Sequence, residues 1–105
     1  MSFRVRFTRE ASEDLERLFD FVLERELSRE GGDLSLPERA LQAIHAGVAI
    51  LKTSPFTCRK AGQSSFVREL VISFGRTGYV ALFEIDGPTE VAILAVRHQL
   101  ESDFH

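Results

Sequence analysis

The apolar positions in the first part of the chain follow two different periods. Phe3, Val5 and Phe7 alternate with two arginines, which predicts a short strand with one buried and one basic face. Thr8 then offers an N-cap, and apolar residues recur every three or four positions, which predicts an amphipathic helix. The helix is expected to end before Gly31-Gly32, because glycine is costly inside helices. Its apolar positions are Ala11, Leu15, Leu18 and Val22, widened by Phe19, Leu23 and Leu27.

A second helix is predicted between Ser35 and Ser54. Ser35 and Glu38 have the spacing of a capping box, and Pro55 disfavours helical geometry at the residue before it. Two antiparallel helices with a short connection make a helical hairpin. The inward stripe of this second helix is expected to be Leu41, Ile44, Val48 and Leu51.

Three apolar, β-prone runs follow between Arg68 and His98. They are separated by the turns Gly75-Arg76-Thr77-Gly78 and Asp86-Gly87-Pro88-Thr89, which predicts an antiparallel meander. The predicted order is β-α-α-β-β-β, an α+β fold with the helical hairpin packed on one face of an antiparallel sheet. We expect one domain over residues 1–105, with 99–105 as a short C-terminal tail.

Composition excludes several broad classes of protein. The chain has 105 residues and a net charge of −3, which argues against a dedicated binder of bulk nucleic acid. Its single cysteine, Cys58, cannot form an internal disulfide, so a reducing cytoplasm is the expected location. No apolar run has the length of a signal peptide or of a membrane span.

No metal or cofactor site is predicted. Cys58 and the histidines at positions 45, 98 and 105 lack ligand-like spacing. The Gly75-Arg76-Thr77-Gly78 segment lacks the Lys-Ser/Thr ending of a phosphate-binding loop. Cys58 precedes two basic residues and is interpreted either as a thiol of lowered pKa or, preferably, as an unreactive loop cysteine.

Polar residues are scarce in the meander and stand at the ends of its runs. Arginines at the margins of an otherwise apolar sheet favour an interaction protein over a furnished active site. The same residues have structural interpretations, since the arginines can pair with strand carboxylates and the tyrosine ring can cap the core. The set consists of Arg68, Arg76, Tyr79, Arg97 and His98.

The segments R-E-L-V-I-S-F-G-R-T-G-Y-V-A-L-F and V-A-I-L-A-V-R-H resemble the C-terminal half of the ParE branch of the ParE/RelE toxin superfamily. V-R-F-T-R-E-A-S-E-D-L-E-R-L, at Val5 to Leu18, is similar to the family's first strand and the start of its first helix. A-L-Q-A-I-H-A-G-V-A-I-L-K-T-S-P-F, at Ala40 to Phe56, is similar to its second helix. The connection from Glu26 to Pro37 is longer than usual in the family.

The resemblance implies the toxin of a type II toxin-antitoxin system. Such a toxin arrests growth by inhibiting DNA gyrase, contributes to plasmid stabilisation and is neutralised by a ParD-like antitoxin. Contact with DNA would be indirect, through antitoxin or gyrase. The runner-up is a RelE-like ribosome-dependent mRNA endonuclease, and the third interpretation is a degenerate, non-toxic relative that only binds antitoxin. The acidic net charge disfavours docking into ribosomal RNA.

Two surfaces are assigned on this basis, and neither is catalytic. The patch that meets the target is expected to centre on Arg97 and His98, followed by Arg68, Arg76 and Tyr79. The first helix has more apolar surface than one contact requires, so we expect a disordered antitoxin tail to fold along the helical hairpin and a sheet margin. The antitoxin-binding residues are predicted to be Leu15, Leu18, Phe19, Val22, Leu23 and Leu27.

Overall fold

The computed structural model describes residues 2–99, and its elements follow one another in the predicted β-α-α-β-β-β order. The predicted tail, apart from Gln99, lies outside the described residues. Two short 3₁₀ helices, Ala49–Lys52 and Pro55–Thr57, follow the second α-helix. The main elements are β1 (Arg4–Phe7), α1 (Arg9–Leu27), α2 (Leu36–Val48), β2 (Val67–Phe74), β3 (Thr77–Asp86) and β4 (Glu90–His98).

The strands form one sheet in the order β1-β4-β3-β2. The predicted antiparallel meander of β2, β3 and β4 is confirmed. β1 runs parallel to β4, with Arg4 opposite Glu90 and Phe7 opposite Ile93, so the sheet is mixed and not wholly antiparallel. The alternation of β1 identified a strand, but an alternating pattern contains no information on the direction of the neighbouring strand.

Both helices lie on one face of the sheet. α1 packs mainly on β4 and on α2, while α2 packs on β2. Gly47 permits close approach there, since a Cβ atom at this position would lie 2.8 Å from Ile72 Cγ1. The core between the layers includes Leu18, Ile44, Leu51, Ile72, Phe83 and Ile93.

The two helix starts differ in how they are capped. The Thr8 side chain accepts a hydrogen bond from the Ala11 N–H at 3.2 Å, so the predicted N-cap of α1 is confirmed. The predicted capping box at Ser35 is wrong, because the Ser35 backbone is already helical and its side chain makes no capping bond. Its hydroxyl donates instead to Asp33 Oδ1 at 2.6 Å, and its N–H donates to the same atom at 2.9 Å.

The β2–β3 hairpin places an arginine at its tip. Phe74 pairs with Thr77, so Gly75 and Arg76 form a two-residue loop. Gly75 has φ +63° while Arg76 does not have a positive φ, a combination that fits a type II′ turn. The turn exposes Arg76 at the end of the sheet nearest the connection between the helices.

Candidate functional site

The six residues predicted to bind antitoxin do not share one face of α1. Leu18 and Val22 are buried within the chain, with 5% and 4% of their surface exposed. Leu15, Phe19 and Leu23 are half-buried, and Leu27 is exposed. Leu18 and Val22 are therefore core residues here and offer little surface to a partner in this structure. A helical period gives the spacing of two apolar stripes but does not say which of them faces the sheet.

A shallow groove of about 270 Å³ runs between the two helices. We call it the helix groove. Its apolar floor comprises Leu15 and Phe19 from α1 with Leu41 from α2, and its rim carries the carboxylates of Glu16 and Asp20. Sequence reasoning found the apolar residues of α1 but missed the acidic rim, although both carboxylates directly follow residues of the predicted stripe.

Three of the five predicted target-facing residues meet at the end of the sheet. Arg76, Tyr79 and His98 line a cavity of about 300 Å³ between the β2–β3 hairpin and the helix connection. We call this cavity the hairpin pocket. Its complete lining is Arg25, Leu36, Arg39, Phe74, Gly75, Arg76, Thr77, Tyr79 and His98.

Tyr79 and His98 form the inner wall of the hairpin pocket. They face each other across β3 and β4, with ring centroids 5.7 Å apart and planes at 88°. His98 Nε2 lies 3.0 Å from the Thr77 hydroxyl. Burial raises the pKa of Tyr79, partly offset by the positive charge of Arg25, so its phenol stays protonated at neutral pH. Tyr79 is therefore a neutral aromatic ring on this wall.

The structure separates Arg97 and Arg68 from this group. Arg97 pairs with Val80 and directly precedes His98 in β4, so the two side chains lie on opposite faces of the sheet. Arg68 Nη1 donates to the Cys58 carbonyl at 2.6 Å, and the Arg68 guanidinium lies 5.7 Å from the ring centroid of Phe56. Arg68 therefore anchors the loop before β2 through a loop carbonyl, and not through the strand carboxylate that its structural interpretation predicted.

Cys58 is partly buried in that loop. Burial raises the pKa of its thiol, and the nearby Arg68 charge opposes this effect only in part. A raised pKa leaves less of the nucleophilic thiolate at neutral pH. The interpretation of Cys58 as an unreactive loop cysteine is therefore the one that this environment favours.

Glu26 is a buried carboxylate that holds the helix connection next to the hairpin pocket. Its Oε1 accepts the Asp33 N–H at 2.9 Å and lies 2.9 Å from Arg29 Nη2. Its Oε2 accepts from Arg25 Nε at 3.1 Å. Asp33 in turn accepts from Arg39 at 3.0 Å. This network positions both pocket arginines of the helix layer, and sequence reasoning missed it.

The same network predicts a loss of stability in acid. The Asp33 N–H has the largest effect and lowers the pKa of Glu26, with the two arginines reinforcing it against burial. A lowered pKa in the folded state contributes stability above the unfolded pKa, about 4.3, that is lost as the pH falls through the folded pKa. We expect urea unfolding between pH 3 and 7 to show a weaker pH dependence in Glu26→Gln than in the wild-type chain. Equal slopes in the two proteins would contradict this assignment.

Residues 2–99 contain neither a metal-binding cluster nor a membrane-spanning helix. No group of three or more His, Cys, Asp or Glu residues in that range has the arrangement of a metal site. No helix in the described part of the chain is long and apolar enough to cross a membrane.

Two solved structures share the fold of this chain over more than nine-tenths of its length. A search of curated proteins found no match. A chain of the chromosomal ParDE toxin-antitoxin system from P. aeruginosa superposes with a TM-score of 0.74 at 22% identity, covering 92% of this chain and 96% of that one. A chain of the toxin-antitoxin complex RelBE2 from Mycobacterium tuberculosis superposes with a TM-score of 0.60 at 27% identity, covering 93% and 99%.

A protein-family model matches nearly the whole chain. Residues 5–102 match the family described as the ParE toxin of the type II toxin-antitoxin system parDE. That range includes all of β1 except Arg4, both α-helices and the complete meander. The chain therefore belongs to the ParE toxin family of type II toxin-antitoxin systems.

Proposed function

We propose that the chain is a cytoplasmic toxin that arrests growth by poisoning DNA gyrase, and that a ParD-like antitoxin holds it inactive. The observation that supports this proposal most is the ParE family match over residues 5–102. The RelBE2 chain, at 27% identity, supplies the reason to keep an mRNA endonuclease as the second candidate.

The helix groove supports the antitoxin part of the proposal. Its apolar floor of Leu15, Phe19 and Leu41 suits the apolar face of an amphipathic helix. Its acidic rim, Glu16 and Asp20, favours a partner whose flanking positions carry lysine or arginine. The antitoxin segment should therefore be a helix with two or three apolar anchors and a basic border.

A sheet margin next to α2 provides a second contact for the same partner. The start of β2 is covered by its own loop, since the Ala61 N–H donates to the Val67 carbonyl at 2.7 Å and the Glu69 N–H donates to the Arg59 carbonyl at 3.0 Å. No described strand pairs with the outer side of the remainder, residues 70–74. We place the added antitoxin strand there, because backbone groups at an open edge accept strand addition.

A toxin that poisons gyrase acts by stabilising a protein-protein or protein-DNA complex. It does not itself have to make or break a covalent bond. Arg97 lies on the sheet face opposite the helices, where Val80 is its partner in register. A guanidinium there can contact an acidic gyrase surface or a DNA phosphate held by gyrase. RNA cleavage by 2′-hydroxyl attack would require a base and a cation at the same phosphate, roles that a histidine and an arginine could fill. His98 and Arg97 lie on opposite faces of the sheet, which disfavours this use.

Pulse labelling of growing cells tests the proposed function. After induction of the chain, thymidine incorporation should fall before methionine incorporation, and co-expression of the ParD-like antitoxin should restore growth. An initial fall in methionine incorporation with cleaved mRNA would support the endonuclease. Normal growth on full expression of folded chain would support the degenerate relative.

A further inference from the structure

We propose that the hairpin pocket binds the phosphate group of a nucleotide-sized ligand. The cavity is separate from the helix groove and from Arg97, on which the proposed antitoxin and gyrase contacts mainly rest. It shares Phe74 with the open edge of β2, and it shares Arg76, Tyr79 and His98 with the patch predicted to face the target. It lies at the end of the sheet, between the helix connection and the β2–β3 turn, and has a volume of about 300 Å³. That volume is at the lower end for small-molecule sites, and a recessed cavity of this size suits a compact ligand better than a nucleic acid duplex.

Arginines from three separate elements line the pocket. Arg25 comes from the last turns of α1, Arg39 from the first turns of α2, and Arg76 from the hairpin tip. Planar guanidinium groups bind phosphate oxygens in pairs, and converging arginines are the usual protein solution for this group. Arg76 lies in an exposed turn, where the fold does not require an arginine. A purely structural role therefore does not explain why Arg76 lines the same cavity as Arg25 and Arg39.

The local charge matches a dianion better than a monoanion. Arg25 and Arg29 pair with Glu26, and Arg39 pairs with Asp33. Arg29 belongs to the Glu26 network but does not line the pocket. Together with Arg76, the network has four guanidinium groups for two carboxylates, an excess of two positive charges around the pocket. A phosphate monoester carries nearly two negative charges at neutral pH, whereas a side-chain carboxylate carries one.

The remaining walls provide the other features of a phosphate-ester site. The hydroxyl of Thr77 stands beside His98 Nε2 and can donate to a phosphate oxygen on rotation. Leu36 and Phe74 supply an apolar side against which the organic part of an ester can pack. The Glu26 network holds Arg25, and Asp33 holds Arg39, so two of the three pocket arginines are positioned before the ligand binds.

Calorimetry on the purified chain with inorganic pyrophosphate tests the proposal. The wild-type chain should bind, and Arg76→Gln should weaken binding about tenfold or more, since hydrogen bonds to charged groups are the strong ones. Arg76 is exposed in a turn, so its replacement should leave the fold intact. Arg9→Gln, an exposed arginine at the start of α1, is the matched control and should bind like wild type.

Two further measurements locate the bound probe and test whether a nucleotide shares its site. NMR amide shifts on addition of pyrophosphate should concentrate at residues 75–77, and a nucleoside triphosphate should compete with the probe. Absence of pyrophosphate binding, or equal binding by Arg76→Gln, would overturn the proposal. Tighter binding of a short DNA duplex through Arg76 would also overturn it, in favour of a nucleic acid surface.

Discussion

Replacing Phe19 with aspartate should weaken antitoxin binding by about 100-fold, because the groove loses its largest apolar residue and gains a carboxylate that binding would desolvate. Phe19 lines the helix groove together with Leu15 and Leu41. It is half-buried in the free chain, so its exposed part is available to a partner. Calorimetry of the purified pair, with circular dichroism to verify folding, measures the effect.

Phe21 supplies the matched control for this prediction. It is on the same helix, 60% exposed, and is not part of the groove lining. Phe21→Asp introduces the same chemistry and should change the affinity less than about threefold, as expected for a position outside the interface core. If Phe21→Asp weakens the complex while Phe19→Asp does not, the antitoxin binds another face of α1.

Replacing Gly32 with alanine should destabilise the fold by about 3 kcal/mol, which is the upper part of the usual range for a forced overlap. A Cβ atom at Gly32 would lie 1.8 Å from the backbone oxygen of Glu26. Backbone atoms cannot move aside as a flexible side chain can, so the helix connection must shift. The shift would also disturb the Glu26 contact to the Asp33 N–H. Urea unfolding of the purified chain measures the loss.

Gly31 allows the steric effect to be separated from a general glycine effect. It has φ +74°, and an added Cβ atom would meet nothing within 4 Å. Gly31→Ala should therefore cost about 1 kcal/mol, the strain of an ordinary residue in a left-handed conformation. Equal losses for the two variants would show that the close approach at Gly32 does not determine stability.

Most of the fold could be predicted because the chain has regular periods. The stripe of α1, the glycine pair after it and the two glycine turns each identify one element or boundary. The direction of β1 could not be predicted, since alternation in a four-residue strand carries no information on its partner. The cap of α2 was missed because Asp33, two residues earlier, binds the Ser35 N–H.

The site residues were harder to place because the prediction grouped them by residue type and ignored the alternation of side chains between the two faces of a strand. Arg97 and His98 were expected in one patch, yet neighbouring residues of a strand face opposite sides. That alternation alone would have placed the two side chains on opposite faces of the sheet. Glu26 also had a signal in the sequence, since it continues the buried spacing of Leu18 and Val22 by four residues and stands next to an arginine. Convergence of Arg25, Arg39 and Arg76 depends on the tertiary fold.

The most direct test of the central claim uses purified gyrase and supercoiled plasmid. The wild-type chain should trap cleaved plasmid on gyrase, and Arg97→Ala should reduce the trapped fraction at least about tenfold if its guanidinium makes a charge-assisted contact. Arg9→Ala, an exposed arginine on α1, should behave like wild type. The same proteins are added in parallel to translating ribosomes, where the mRNA should remain intact. Codon-positioned mRNA cuts that vanish in His98→Ala, with gyrase unaffected, would contradict the account.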